Sequence, residues 1–150
     1  MKVFKFGGAS VKNAEGVKNV LSVLKTTEEK NLIVIVSAMG KMTNLLEDLV
    51  INYFSNPSEI KITLSKFYEF HLKIITDLFN NNSHQIFNEL LKLKNELQLF
   101  VDHNKSNDYS FVYDQIVSFG ELISTKIISV YLLENEFENK FLDVRSVIKT

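Results

Sequence analysis

Hydrophobic positions along the chain fall into two kinds of pattern: short apolar runs near the start, and long stretches at helical spacing behind them. Residues 3–6, Val-Phe-Lys-Phe, are a brief strand-like run stopped by Gly7-Gly8, which predicts a buried strand entering a tight turn. Val17, Val20, Leu21 and Leu24 then recur at helical spacing, and Asn13 with the early Glu15 suits a helix start. The run Leu32-Ile33-Val34-Ile35-Val36 does not alternate, the pattern of a strand covered on both faces, so it is expected as a central strand. After Ser37-Ala38-Met39-Gly40, Thr43 is placed to cap a helix whose apolar face is Leu45, Leu46, Leu49, Val50, Tyr53 and Phe54.

The middle is helical throughout. Residues 58–79 and 85–103 carry Leu, Phe and Ile at helical spacing, separated by Asn80-Asn81-Asn82-Ser83, and the single proline, Pro57, sits between two helices. The pattern breaks at 105–110 and resumes over 111–133, where Gly120 interrupts an otherwise strongly helical stretch and suggests a break or a close approach. A third strand is expected over 140–147. The resulting fold class is α/β, a mainly parallel sheet flanked by helices, with a helical insertion in the middle. A last strand in a parallel sheet is normally followed by a crossover and another strand, so the fold reads as incomplete at Thr150 and the chain as truncated.

Composition narrows the classes of function. With 150 residues and 45% hydrophobic residues the chain supports one core, and one domain over 1–150 is expected. A formal charge of −1 gives no electrostatic reason to bind nucleic acid or an anionic membrane, and a small molecule or a protein is the expected partner. There is no cysteine, which removes disulfides, thiolate metal sites and a cysteine nucleophile, and fits a cytoplasmic location. The opening apolar stretch is too short for a signal peptide, and no later run is read as long enough to span a bilayer.

Three places could carry chemistry. Lys5 sits near the carboxyl end of the first strand, the edge where open α/β sheets bind ligands, and is expected to point at an anion. Gly7 and Gly8 let backbone N–H groups approach a phosphate, although an ordinary glycine turn beside a surface lysine has the same appearance. Neither G-x-x-x-x-G-K-[ST] nor G-x-G-x-x-G is present. Second, Ser37 and Ala38 end the next strand, with Thr43 and Asn44 beyond; adjacent parallel strands open on one crevice, so these small and hydroxyl residues could hold a polar ligand there. Third, Glu121 follows Gly120 and would suit the ammonium of an amino acid, whereas a solvated helix glutamate looks the same in sequence. His71, His84 and His103 lack metal spacing, no protein metal site is expected, and the many phenylalanines read as core.

Taken in order, Phe4-Lys5-Phe6-Gly7-Gly8-Ala9-Ser10-Val11, Val36-Ser37-Ala38 with Thr43-Asn44, Ser118-Phe119-Gly120-Glu121 and Leu142-Asp143-Val144-Arg145 closely resemble the aspartokinases, within the amino-acid kinase superfamily, over nearly the whole chain. Ala9 and Phe119 depart from the family's common hydroxyl residue and histidine. The resemblance implies a carbamate-kinase-like fold and the transfer of phosphate from ATP to L-aspartate, the first step towards lysine, threonine and methionine. It implies Lys5 as the catalytic group beside the transferred phosphoryl, with Gly7, Gly8 and Ser10 on the phosphate path. Ser37, Ala38, Thr43 and Glu121 would line the aspartate site, and Mg2+ would be held mainly by the nucleotide. A further substrate arginine, a catalytic aspartate, most of the nucleotide site and the regulatory ACT domains would lie beyond Thr150, so the chain alone is expected to be inactive. An unfinished sheet edge invites self-association, which makes a homo-oligomer one expected partner state. The alternatives are a kinase of the same superfamily for another acid, such as acetylglutamate, and a non-catalytic binding or assembly module with the same fold.

Overall fold

β1 (Lys2–Phe6) and β2 (Leu32–Val36) pair in parallel, with Lys5 opposite Ile35 and Phe6 opposite Val36. This computed structural model describes residues 1–80 and 84–147. Between the strands runs α1 (Ala14–Lys25), whose start is fixed by Asn13: its side chain accepts the Gly16 N–H at 2.9 Å, and Glu15 lies in the first turn. Val17, Val20, Leu21 and Leu24 form its buried stripe, as the spacing predicts.

The two strands alternate in burial. Phe4, Phe6, Leu32 and Val34 pack against the helical core and Val36 is buried in it, while Val3, Lys5, Ile33 and Ile35 look outward, with Ile33 and Ile35 still 46% and 47% exposed. The expectation of a central strand covered on both faces is therefore corrected. Among the described residues the sheet has two strands, and helices cover one face of it.

The rest is a helical layer: α2 (Met42–Ser55), a 3-10 turn at Pro57–Glu59 with the proline at its start, α3 (Ile60–Leu78), α4 (Gln85–His103) and α5 (Tyr109–Glu134). These reproduce the expected order of helices, while the separator at 81–83 lies outside the described residues. Thr43 does not cap α2. That helix begins one residue earlier, at Met42 after Lys41, and no side chain caps it. Gly120 does not break α5, which runs unbroken through it from a start at Asp108, whose carboxylate accepts the Ser110 and Phe111 N–H groups.

Two further expectations are overturned. By length and composition α5 is apolar enough to cross a membrane, contrary to the reading that no run was; more than half of its most apolar stretch is buried here against the other elements, so burial accounts for its hydrophobicity. The third strand over 140–147 is absent: Val144–Ser146 is a 3-10 turn. Asp143 accounts for this, because its carboxylate accepts the Arg145 N–H at 3.1 Å and its carbonyl accepts the Ser146 hydroxyl at 2.6 Å, local bonds that compete with a sheet ladder.

In α3, His71 is fully buried between Phe67 and Phe70, with Nδ1 2.8 Å from the Phe67 carbonyl. Its Nε2 has no partner among the described residues, and burial pushes its pKa down to about 4.

Candidate functional site

Both strands end in turns that touch. The Ser37 N–H donates to the Phe6 carbonyl at 3.0 Å, continuing the ladder past β2, and the Gly40 N–H donates to the Gly8 carbonyl at 2.9 Å. The first turn closes on itself through the Ser10 N–H to the Gly7 carbonyl, 2.9 Å. A Cβ on Gly8 would lie 2.5 Å from the Ala38 carbonyl oxygen, so glycine is required there for the two turns to approach. Gly7 differs: a Cβ on it would meet nothing within 4 Å, and its φ is not in the left-handed region. No contact within the described chain requires a glycine at position 7, and the space over it is open at the strand ends.

α5 supplies the other wall. At Gly120 a Cβ would come within 2.8 Å of the Ala38 Cβ and 3.2 Å of Leu46, so the bare helix backbone packs directly on the turn after β2. This close approach, one of the two readings the sequence left open, is the reason for the glycine. It sets Glu121 beside that turn, where its carboxylate Oε1 accepts the Ala38 N–H at 3.4 Å, a long hydrogen bond. One turn further on, the buried Ser124 hydroxyl lies 2.9 Å from the Ser37 carbonyl and 3.0 Å from the Glu121 carbonyl. Sequence reasoning missed Ser124. The available signal was its place one helical turn after Gly120 and Glu121, as a polar residue in an otherwise apolar stripe.

Contacts thus join Gly8, Ser37, Ala38 and Glu121. Ala38 is buried with its methyl against Gly120, so only its backbone can serve a ligand. Lys5 is exposed on the open face of the sheet, a position that costs it no desolvation. The side chains of Lys5, Ser10, Ser37 and Thr43 make no hydrogen bond to one another or to Glu121 among the described residues. Thr43, in the first turn of α2, keeps its hydroxyl free of the capping role.

Asp143 and Arg145 form a separate pair, with Nη2 to Oδ2 at 2.7 Å and Nε to Oδ1 at 3.0 Å. The hydrogen-bonded guanidinium holds the Asp143 carboxyl below its usual range. The Arg145 guanidinium also lies 5.8 Å over the Phe119 ring, so the aspartate-valine-arginine segment is tied to α5. Two concavities lie away from the strand ends: one of about 170 Å³ bordered by Glu89, Lys126 and Arg145, and one beside His84 and Glu134. Among the described residues no group of three or more His, Cys, Asp or Glu side chains is placed to hold a metal.

Comparison with known proteins bears on this arrangement. Aspartokinase 1, chloroplastic, of Arabidopsis thaliana is 37% identical over 135 residues, covering 87% of this chain and 23% of that protein. The bifunctional aspartokinase/homoserine dehydrogenase of Buchnera aphidicola is 28% identical over 153 residues, 96% of this chain and 18% of its own length. The structure of E. coli aspartokinase III in complex with aspartate and ADP superposes with a TM-score of 0.80 at 27% identity, over 97% of this chain and 31% of that one. The lysine and aspartate complex of the same enzyme gives a TM-score of 0.81. The chain therefore spans less than a third of the length of each of these relatives, and its helices on a small parallel sheet are an incomplete form of the aspartokinase fold. The family model described as Amino acid kinase family matches residues 1–149, and the chain belongs to that family.

Proposed function

We propose that residues 1–150 are the first part of the catalytic domain of an aspartate kinase, which transfers the γ-phosphoryl group of ATP to the side-chain carboxylate of L-aspartate. The carrying observation is the convergence at one sheet edge of the Gly7-Gly8 turn, the Ser37-Ala38 turn and the Glu121 carboxylate. The names of the relatives support the choice of aspartate among the acids used in this family.

A carboxylate is already ionised at neutral pH, so the nucleophile needs no general base. One of its oxygens bonds to the γ-phosphorus as the bond from that phosphorus to the β–γ bridging oxygen breaks, and ADP leaves with the electron pair, giving 4-phospho-L-aspartate. What the protein supplies is placement and charge. Gly7, with open space over it, admits phosphate to the turn, and the N-terminus of α1 beyond adds partial positive charge. Lys5 neutralises charge on the transferred group. Glu121 pairs with the substrate ammonium through the oxygen not engaged by Ala38, while Ser37 and Thr43 offer hydroxyls to its polar groups. Magnesium enters with the nucleotide phosphates. The step belongs to lysine, threonine and methionine synthesis, and the active unit is the full-length protein. The plant relatives are named chloroplastic, so a cytoplasmic location is not general to such proteins.

In the full-length protein, Lys5→Met should lower turnover by about two orders of magnitude or more. Near-normal turnover would refute the electrostatic role of Lys5. Substrate profiling decides the acid: a blocked amine has no ammonium for Glu121, so a preference for an acylated amino acid over aspartate would overturn the assignment.

A further inference from the structure

One peptide unit, the amide between Ser37 and Ala38, is held at both of its polar groups by a single turn of α5. Its carbonyl, on Ser37, accepts from the Ser124 hydroxyl at 2.9 Å, and its N–H, on Ala38, donates to the Glu121 carboxylate at 3.4 Å. Gly120, on the same turn, removes the side chain that would otherwise push the Ala38 methyl away. Ser124 is a polar residue among buried leucines and isoleucines of α5, and it is fully buried itself, so its hydroxyl needs a partner. Its hydroxyl satisfies a carbonyl at the end of a strand, where no further ladder partner receives it among the described residues.

We infer that Ser124 is a positioning residue for substrate binding: by fixing the plane of the Ser37-Ala38 peptide it sets the Ala38 N–H that orients the Glu121 carboxylate. The chain of contacts is short and each link is local. Without the Ser124 hydroxyl the Ser37 carbonyl is free to turn, and the N–H of the same rigid plane turns with it. Glu121 Oε1 then loses its donor, and the exposed carboxylate is no longer held to one rotamer. The Gly7-Gly8 turn takes no hydrogen bond from either polar group of this peptide and is held to the second turn through the Gly40 N–H, so the larger effect falls on the amino-acid side. The inference rests on the amino-acid site proposed above, with Glu121 as the partner of the substrate ammonium.

The test compares Ser124→Ala, Glu121→Gln and the double variant in the full-length protein, with separate KM values for aspartate and ATP. Ser124→Ala should raise the aspartate KM by about three- to tenfold, the loss of one ordinary hydrogen bond, with the ATP KM and kcat within about twofold of the parent. Glu121→Gln should raise the aspartate KM at least as much. Adding Ser124→Ala to Glu121→Gln should then raise it little further, because the serine acts through the carboxylate already lost. A serine effect of full size in the glutamine background, or changes in both KM values together, would mean a general structural role and overturn the inference. An aspartate KM that responds to Glu121→Gln and not to Ser124→Ala overturns the inference while leaving the site reading intact. No response to Glu121→Gln overturns the site reading itself. If the alanine variant does not fold, Ser124→Cys, close in volume and a weak donor, is read by the same criteria.

Discussion

Replacing Gly120 by alanine would set a methyl 2.8 Å from the Ala38 Cβ and 3.2 Å from Leu46 Cδ1. Carbon atoms rest at roughly 3.5–4.0 Å, so α5 or the turn after β2 would have to withdraw by about 1 Å. Overpacking of this kind costs about 1–3 kcal/mol, and an alanine in a helix interior returns about 1 kcal/mol of propensity relative to glycine. The single variant is therefore expected to lose about 0–2 kcal/mol, which alone decides little. The decisive measurement is the cycle with Ala38→Gly. In the parent, that change removes a buried methyl and adds backbone freedom, a loss of about 1–2 kcal/mol. With Gly120→Ala already present, the same change removes the obstruction, so the two losses should fall short of additive by about 1–3 kcal/mol in equilibrium denaturation. The aspartate KM, raised in Gly120→Ala by the withdrawal of the Glu121 turn, should fall back in the double variant. If the two variants add within about 0.5 kcal/mol, the glycine is not there for the approach of α5 to Ala38, and the account of the site's wall is wrong.

The two glycines of the first turn should separate by assay. Gly8→Ala drives a Cβ onto the Ala38 carbonyl oxygen and should cost about 1–3 kcal/mol of stability, whereas Gly7→Ala meets nothing and should leave stability unchanged or slightly higher while weakening ATP binding in the full-length protein; equal thermal shifts for both would contradict the geometry. Burial pushes the His71 imidazole down to about 4 from the ordinary 6.5, so the folded state resists the proton that the unfolded chain accepts. Its contribution is complete above pH 6.5 and is lost as pH falls towards 4, by up to about 3 kcal/mol; unfolding followed over that window should show the slope, His71→Leu should flatten it, and a slope that persists in the variant would assign it elsewhere. Asn13→Ala should cost about 1 kcal/mol through loss of its bond to the Gly16 N–H, and an unchanged denaturation midpoint would mean that water replaces this cap without loss.

Much of the architecture was legible because its signals are local. Asn13 announces α1, Pro57 marks the passage between α2 and α3, and the apolar stripes of α3 and α4 need only the helical period. What failed depends on partners that sequence does not show. A continuous apolar run such as 32–36 reads as doubly covered, yet burial of its two faces depends on which layers pack there, and here Ile33 and Ile35 look outward. The segment 140–147 has strand-like composition, and Asp143 diverts it by bonding its own neighbours. Thr43 has the residue type of a cap, but capping depends on a helix boundary that patterns place only to within a few residues.

The glycines carry the sharpest lesson about the site, because the same residue answers three different demands. Gly8 and Gly120 are both explained by Ala38, whose carbonyl approaches one and whose methyl approaches the other; a small residue at position 38 and two glycines far apart in sequence are thus one packing solution. None of that requires a ligand. Gly7 has no such cause among the described residues: its φ suits any residue and the space above it is open. A glycine that no described contact needs, at the carboxyl edge of a parallel sheet, leaves room for a bound group, and the proposed function fills that room with phosphate. The doublet that reads in sequence as one phosphate cradle is then packing at Gly8, and under the proposed function binding at Gly7.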